Sequence, residues 1–338
     1  MRDVRMSAQE TKASIMRSMR KLLLGQGSGT KAELSEKLQI SFPTISKFLT
    51  LMERSGEVSL AGLDESSGGR RAKRYVYNAN YRLGLAIFLE KHETHYTIFN
   101  GFGDQMGQGR TNSVLQEEAS SLVNLIRDIM DSYPSIQSVA IGVPGAVNEG
   151  KIFYMPAYEQ YDNLHLKQYI EEQIGVPAVV ENDMNAAVLG YIARRKLQEM
   201  ASIIYLYLGQ NGPGAGVAVN GQIVRGKSFF SGEVSFIPQY DYKNFLQALN
   251  DERDADAAVK HIDPISRLVA AITAILNPDY FVFCEEEVNS HLISEIIAHS
   301  AAYVPKEHLP ELSASDWKSD YLYGLQSLGL NALLIQTN

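Results

Sequence analysis

With 338 residues and 45% hydrophobic content, the chain is too long for one small core and apolar enough to bury two or three. No run approaches the roughly 18 uninterrupted apolar residues of a membrane-spanning helix, and the opening MRDVRMSAQETK lacks the apolar stretch of a secretory signal, so the sequence reads as a cytoplasmic globular protein without a membrane partner. One cysteine, Cys284, excludes an internal disulfide or a multi-cysteine zinc cluster and is expected to act as a small buried hydrophobe.

The net charge of −8 is unevenly spread. Residues 1–80 hold 14 Lys and Arg against 8 Asp and Glu, while the remainder holds 17 against 31. A cationic head on an acidic body suits phosphate binding, although an ordinary solvated face would show the same imbalance.

In that head, Ile15, Met16, Met19, Leu22 and Leu23 form an apolar stripe that predicts a helix over residues 8–24, stopped by Gly25. Thr30-Lys31-Ala32-Glu33 is a capping box opening a short helix that ends near Gln39. Ser41 caps a third helix, with Pro43 in its first turn and Ile45, Phe48, Leu49 and Met52 facing inward. Thr44, Ser46, Lys47, Thr50 and Arg54 are then left outside, which suits a recognition helix in a major groove. A three-helix protein-binding module would share the apolar spacing. Residues 57–60 and 74–77 read as strands joined by a Gly- and Ser-rich tip that carries Arg70, Arg71, Lys73 and Arg74, cations suited to a minor groove. The whole predicts a winged helix-turn-helix over residues 1–78 whose partner is double-stranded DNA.

From Tyr81 onward, strand and helix patterns alternate, which predicts an α/β class for residues 79–338. Strands are expected at 83–89, 95–100, 138–143, 178–180, 203–208, 216–219 and 280–283, and helices at 120–132, 164–174, 184–195, 265–276 and 322–335.

Several segments of this body resemble the ROK family, which comprises repressors and sugar kinases: Ile141-Gly142-Val143-Pro144-Gly145, the loop from Met155 to Leu166, the stretch ENDMNAAVLG at 181–190, Gly212 to Gly216, and Ser231-Gly232-Glu233-Val234. SGGRRAKRY likewise resembles the wing tip of the family's repressor branch. The resemblance implies a two-lobed actin-like (ribonuclease H-like) fold with a ligand cleft between the lobes. It implies Asn163, Asn182, Asp183 and Glu233 as sugar-binding residues, with Asp183 at the general-base position of the kinases. Read alone, Asp183 could be no more than a helix cap.

Departures from the family pattern remove the rest of the kinase equipment. Ala86, Phe88, Leu89 and Glu90 stand where the first phosphate hairpin has its Asp, two Gly and Thr, so Phe88 and Leu89 are expected to fill phosphate space, and Glu90 to add repulsion on the order of a kcal/mol. Gln210-Asn211 interrupts the second phosphate loop, and Cys284-Glu285-Glu286 replaces the glycines at the adenine end. Phe236 stands at the family's zinc-binding histidine, with no cysteine nearby, so neither a metal nor any cofactor is expected. The seven histidines show no metal spacing, and the aromatic residues around 153–161 and 240–242 are expected to pack.

The sequence therefore predicts a non-enzymatic sugar-related transcriptional regulator, a homodimer or dimer of dimers, that takes a sugar or sugar-derivative effector. An active sugar kinase with an added head, or a DNA-binding scaffold without effector, remain the alternatives.

Overall fold

The computed structural model describes residues 8–64, 71–155, 157–198, 200–209, 212–250 and 261–335. The first unit runs α1 (Ala8–Gln26), β1 (Ser28–Thr30), α2 (Lys31–Leu38), α3 (Phe42–Arg54), β2 (Val58–Leu63) and β3 (Lys73–Tyr77). The Thr30–Glu33 capping box forms as expected, with the Glu33 N–H donating to the Thr30 hydroxyl and the Thr30 N–H to the Glu33 carboxylate. Gly25 does not stop α1, which continues to Gln26. Ile45, Phe48, Leu49 and Met52 of α3 close on Met19, Leu23 and Leu34, and the sheet, ordered β1-β3-β2, covers them with Val58, Tyr75 and Tyr77. The three-residue β1 lay beyond the reach of periodicity.

The remainder contains β4 (Leu83–Leu89), β5 (Glu93–Phe99), β6 (Gln105–Asn112), α4 (Ala119–Ser132), β7 (Ile136–Val143), the hairpin β8 (Ala146–Asn148) and β9 (Lys151–Tyr154), α5 (Leu166–Ile174), β10 (Ala178–Asn182) and α6 (Asp183–Arg195). It continues with β11 (Ile203–Tyr207), β12 (Gly214–Val219), β13 (Gln222–Ile223), α7 (Phe245–Leu249), α8 (Ile262–Leu276), β14 (Tyr280–Cys284), α9 (Ser290–Ser300), β15 (Glu311–Ser315) and α10 (Trp317–Ile335).

Two five-stranded sheets share one topology. The first is ordered β10-β7-β4-β5-β6 and the second β13-β12-β11-β14-β15. In each, three consecutive strands pair antiparallel and two more join in parallel. Helices α4 and α5 cover the outer face of the first sheet, and α7, α8 and α9 that of the second. Between the sheets lie α6 and α10, packed on Ala86, Phe88 and Ala140 from one side and Ile203, Tyr205 and Val282 from the other. This duplicated arrangement is the expected two-lobed α/β architecture.

The central helices meet at two glycines. A Cβ at Gly190 would lie 1.8 Å from the Asp320 carbonyl oxygen, and one at Gly324 would lie 1.9 Å from that of Ala186. No other residue type fits either position without parting the helices. Asp320 itself is fully buried and accepts from Arg194 and from the Tyr205 hydroxyl. At its far end α10 buries Ala332 and Leu333 and packs on α1 of the first unit, so the apolar C-terminal stretch docks within its own chain. No described helix is long and apolar enough to cross a membrane.

Candidate functional site

On the first unit, α3 exposes Lys47 and Arg54 to solvent and Thr44, Ser46 and Thr50 in part. Two of the hydroxyls have internal duties: Ser41 and Thr44 share a hydrogen bond of 2.8 Å, and Thr50 donates to the Ser46 carbonyl. Ser46 also accepts from Lys31 Nζ at 2.8 Å, which brings a cation of α2 onto the same face. Sequence reasoning missed Lys31 because it assigned that residue only to the capping box.

At the wing, Arg71 and Lys73 are exposed, while Arg70 lies outside the described residues. Arg74 departs from expectation. Its guanidinium spans Asp64, just past β2 (2.7 Å from each of two nitrogens), and Glu33 of α2 (2.8 and 3.2 Å), so it clamps the hairpin to the helix. The same contacts hold both carboxyls below their usual range. A forked donor so engaged has no free edge for a phosphate.

In the remaining chain, a cavity of about 280 Å³ opens between the lobes. The N-terminus of α6 forms its floor. Asn182 ends β10 and caps α6, accepting from the Asn185 N–H at 3.0 Å while its amide donates to the Gly145 carbonyl and to Asp183 Oδ1. Asp183 is thus not the cap; its Oδ1 takes the Met184 N–H at 2.8 Å as well. Glu181 is buried, accepts from the Asn182 N–H and the Asn185 amide, and is ion-paired to Arg225. Glu233 comes to the same cavity from the second lobe. Burial foremost, and the nearby Glu233 carboxylate after it, push the Asp183 carboxyl up to about 7; burial also raises Glu233.

That elevation has a measurable sign. A carboxyl that ionises at 3.8 when unfolded and near 7 when folded favours the folded state fully below about pH 4, and the contribution is lost as pH rises to 7. Melting temperature is expected to decline over that window, and Asp183→Asn to flatten the decline. Equal slopes in the two proteins would place the proton uptake elsewhere.

Asn163 is not brought to this floor. It is solvent-exposed and outside the cavity lining, with φ at 61°, a left-handed turn conformation that asparagine tolerates better than most residues.

The phosphate hairpin also differs from the expectation. Strand alternation sends Phe88 and Leu89 to opposite faces. Leu89 borders the cavity, whereas Phe88 turns away and stacks on His95 with ring centroids 4.6 Å apart, against Tyr321. Glu90 lines the cavity, and burial raises its carboxyl. Cys284 is buried and pushed up to about 11 by burial, as a small core residue would be, while Glu285 and Glu286 face solvent.

Sequence reasoning overlooked three residues beside the second phosphate segment, of which Tyr207 and Trp317 line the cavity. Glu287 takes the N–H groups of Leu208 and Gly209, each at 2.8 Å, and Tyr207 stacks on Trp317 at 4.2 Å. Gln210 and Asn211 lie outside the described residues. Phe236, at the expected zinc position, is more than half exposed beside Phe230, and no cluster of metal-ligating side chains occurs among the described residues. Tyr158 and Tyr161 pack as expected, but Tyr154 faces the cavity.

Residues 91–239 match the model of the ROK family. The matched stretch makes up a little under half of the chain. Over 224 residues it is 27% identical to a putative xylose repressor from Caldicellulosiruptor sp., an alignment covering 63% of this chain and 56% of that protein, so the match spans little more than half the relative. It is 35% identical over 104 residues to a β-glucoside kinase from Listeria monocytogenes, covering 30% of this chain and 35% of the kinase. In fold, it superposes on a crystal structure of a ROK family transcriptional regulator, a homologue of the Escherichia coli MLC protein, with a TM-score of 0.72 and 18% identity over 97% of this chain and 98% of the other. Outside the ROK match, the fold of the first unit is therefore shared as well.

Proposed function

We propose that the chain is a sugar-responsive transcriptional repressor that binds duplex DNA through residues 1–78 and takes a sugar or sugar derivative between the lobes of residues 79–338. The observation that carries this reading is the pairing of an exposed cationic α3 face with a sugar-type floor of Asn182, Asp183 and Glu233 in one chain. Thr44, Ser46, Lys47, Thr50 and Arg54 would meet the major groove, with Lys31 beside them, and Arg70, Arg71 and Lys73 the flanking backbone or minor groove. The relative named a putative xylose repressor supports the regulatory role, and sugar rather than xylose is what the proposal takes from it.

The body acts without phosphotransfer in this reading. Glu287 already satisfies loop N–H groups next to the second phosphate segment, the Tyr207–Trp317 stack fills space beside them, and Glu90 opposes a triphosphate. Near-palindromic operators require two heads, so the working form is a homodimer or dimer of dimers, in the cytoplasm.

The test uses a duplex enriched from a random library on the full chain. Replacing Lys47 and Arg71 together by Ala is expected to weaken binding by about one to two orders of magnitude at moderate salt and to lower the slope of log affinity against log salt by about 2. An unchanged slope would remove these cations from the DNA surface.

A further inference from the structure

We propose that the effector is an uncharged glycoside whose sugar ring sits on the Asn182–Asp183–Glu233 floor and whose second ring, an aglycone or a further sugar, stacks on an aromatic shelf at the cavity mouth. The inference rests on the sugar-binding reading above and specifies its ligand class.

Of the shelf, Phe153 and Tyr154 lie in a segment that sequence reasoning assigned to packing, and Phe236 was read only as the replacement of a zinc-binding histidine. Tyr154, Phe229 and Phe236 line the cavity together with Leu246. Phe153 lies nearly parallel to Phe229, with centroids 4.9 Å apart, and Phe230 supports Phe236 at 5.3 Å. Tyr154 and Phe236 remain about half exposed, a costly placement for rings that could have been buried in the adjoining cores. Phe229 also adopts φ of 60°, a left-handed conformation unfavourable for a bulky residue, so the surrounding fold holds that ring over the cleft against local preference. Flat apolar faces above a floor of carboxylates and an amide match a ligand with C–H faces on one side and hydroxyls on the other.

Charge narrows the class further. Glu90, Asp183 and Glu233 line the cavity, and its cations are Lys91 at the edge and Arg225, which is committed to Glu181. A phosphorylated sugar would meet net negative charge on entry, whereas a neutral glycoside avoids that repulsion.

Isothermal titration of the full chain tests this with gluco, xylo and galacto series, each presented as free sugar, methyl glycoside, phenyl glycoside, β-linked disaccharide and sugar phosphate. In the series that binds, the phenyl glycoside or the disaccharide is expected to bind about tenfold tighter than the free sugar and the phosphate to bind more weakly. The phenyl and disaccharide arms tell which second ring the shelf prefers. Phe236→Ala, at an exposed site, should abolish the gain and leave free-sugar affinity within about twofold; Phe229→Ala should act likewise. Asp183→Asn should weaken every ligand. Free sugar that binds through Asp183 with no gain from a second ring, or a phosphate that binds as tightly, would overturn the glycoside while leaving the sugar sensor standing. If no member of the panel binds, both readings fall.

Discussion

Glu57→Ala is expected to destabilise the protein by about 3–5 kcal/mol, read as a shift of the urea midpoint of the full chain. Glu57 and Arg20 are both essentially excluded from water, and they form a two-pronged ion pair in which Arg20 Nε and Nη2 each meet one carboxylate oxygen. The Tyr77 hydroxyl donates to the same carboxylate at 3.2 Å. Deleting the acid leaves the buried guanidinium without its carboxylate, which costs more than the pair contributed. Replacing both partners, Arg20→Met with Glu57→Leu, is expected to recover part of the loss, because neither charge of the pair then stays buried, although that of Arg82 beside it does. A single variant within about 1 kcal/mol of the parent would show that water reaches the pair.

The other large effect lies in the middle of the body. Gly190→Ala places a methyl group 1.8 Å from the Asp320 carbonyl oxygen, a backbone atom that cannot swing aside as a side chain could. Overpacking of this kind costs about 1–3 kcal/mol where side chains adjust, and more is expected here because α6 and α10 must separate along their length. Gly324→Ala should behave alike, since its Cβ would meet the opposite helix at 1.9 Å. Gly25→Ala is the control: it lies within α1 with open space around it, and helix propensity alone predicts a neutral or slightly stabilising change. Comparable melting of all three variants would mean that the helices do not touch at these glycines.

Local signals in the sequence were the readable ones. The Thr30 capping box, the buried stripe of α3 and the apolar run of β4 each announce themselves within a dozen residues, and they formed where expected. Elements without such a signature were missed. Strand β6 is polar and largely exposed along its length, and β15 takes its place through pairing with β14 rather than through its own composition. The cleft shows the same division. Asn182 and Asp183 could be found because residues 181–190 resemble a family signature, but the Glu287 carboxylate reaches N–H groups almost eighty residues away, and the Arg74 clamp joins residues 10 and 41 positions distant. Phe88 could have been placed better from sequence alone: neighbours in a strand face opposite ways, so it could not share the cavity with Leu89.

Helix α10 has a mechanical consequence. Trp317, its first residue, forms part of the cleft wall, while sixteen residues on, Leu333 is buried near Arg82 at the junction with α1. A helix of that span is about 25 Å long. One continuous helix thus joins the cleft wall to the base of the first unit, and it is held on α6 at Gly190 and Gly324 between them.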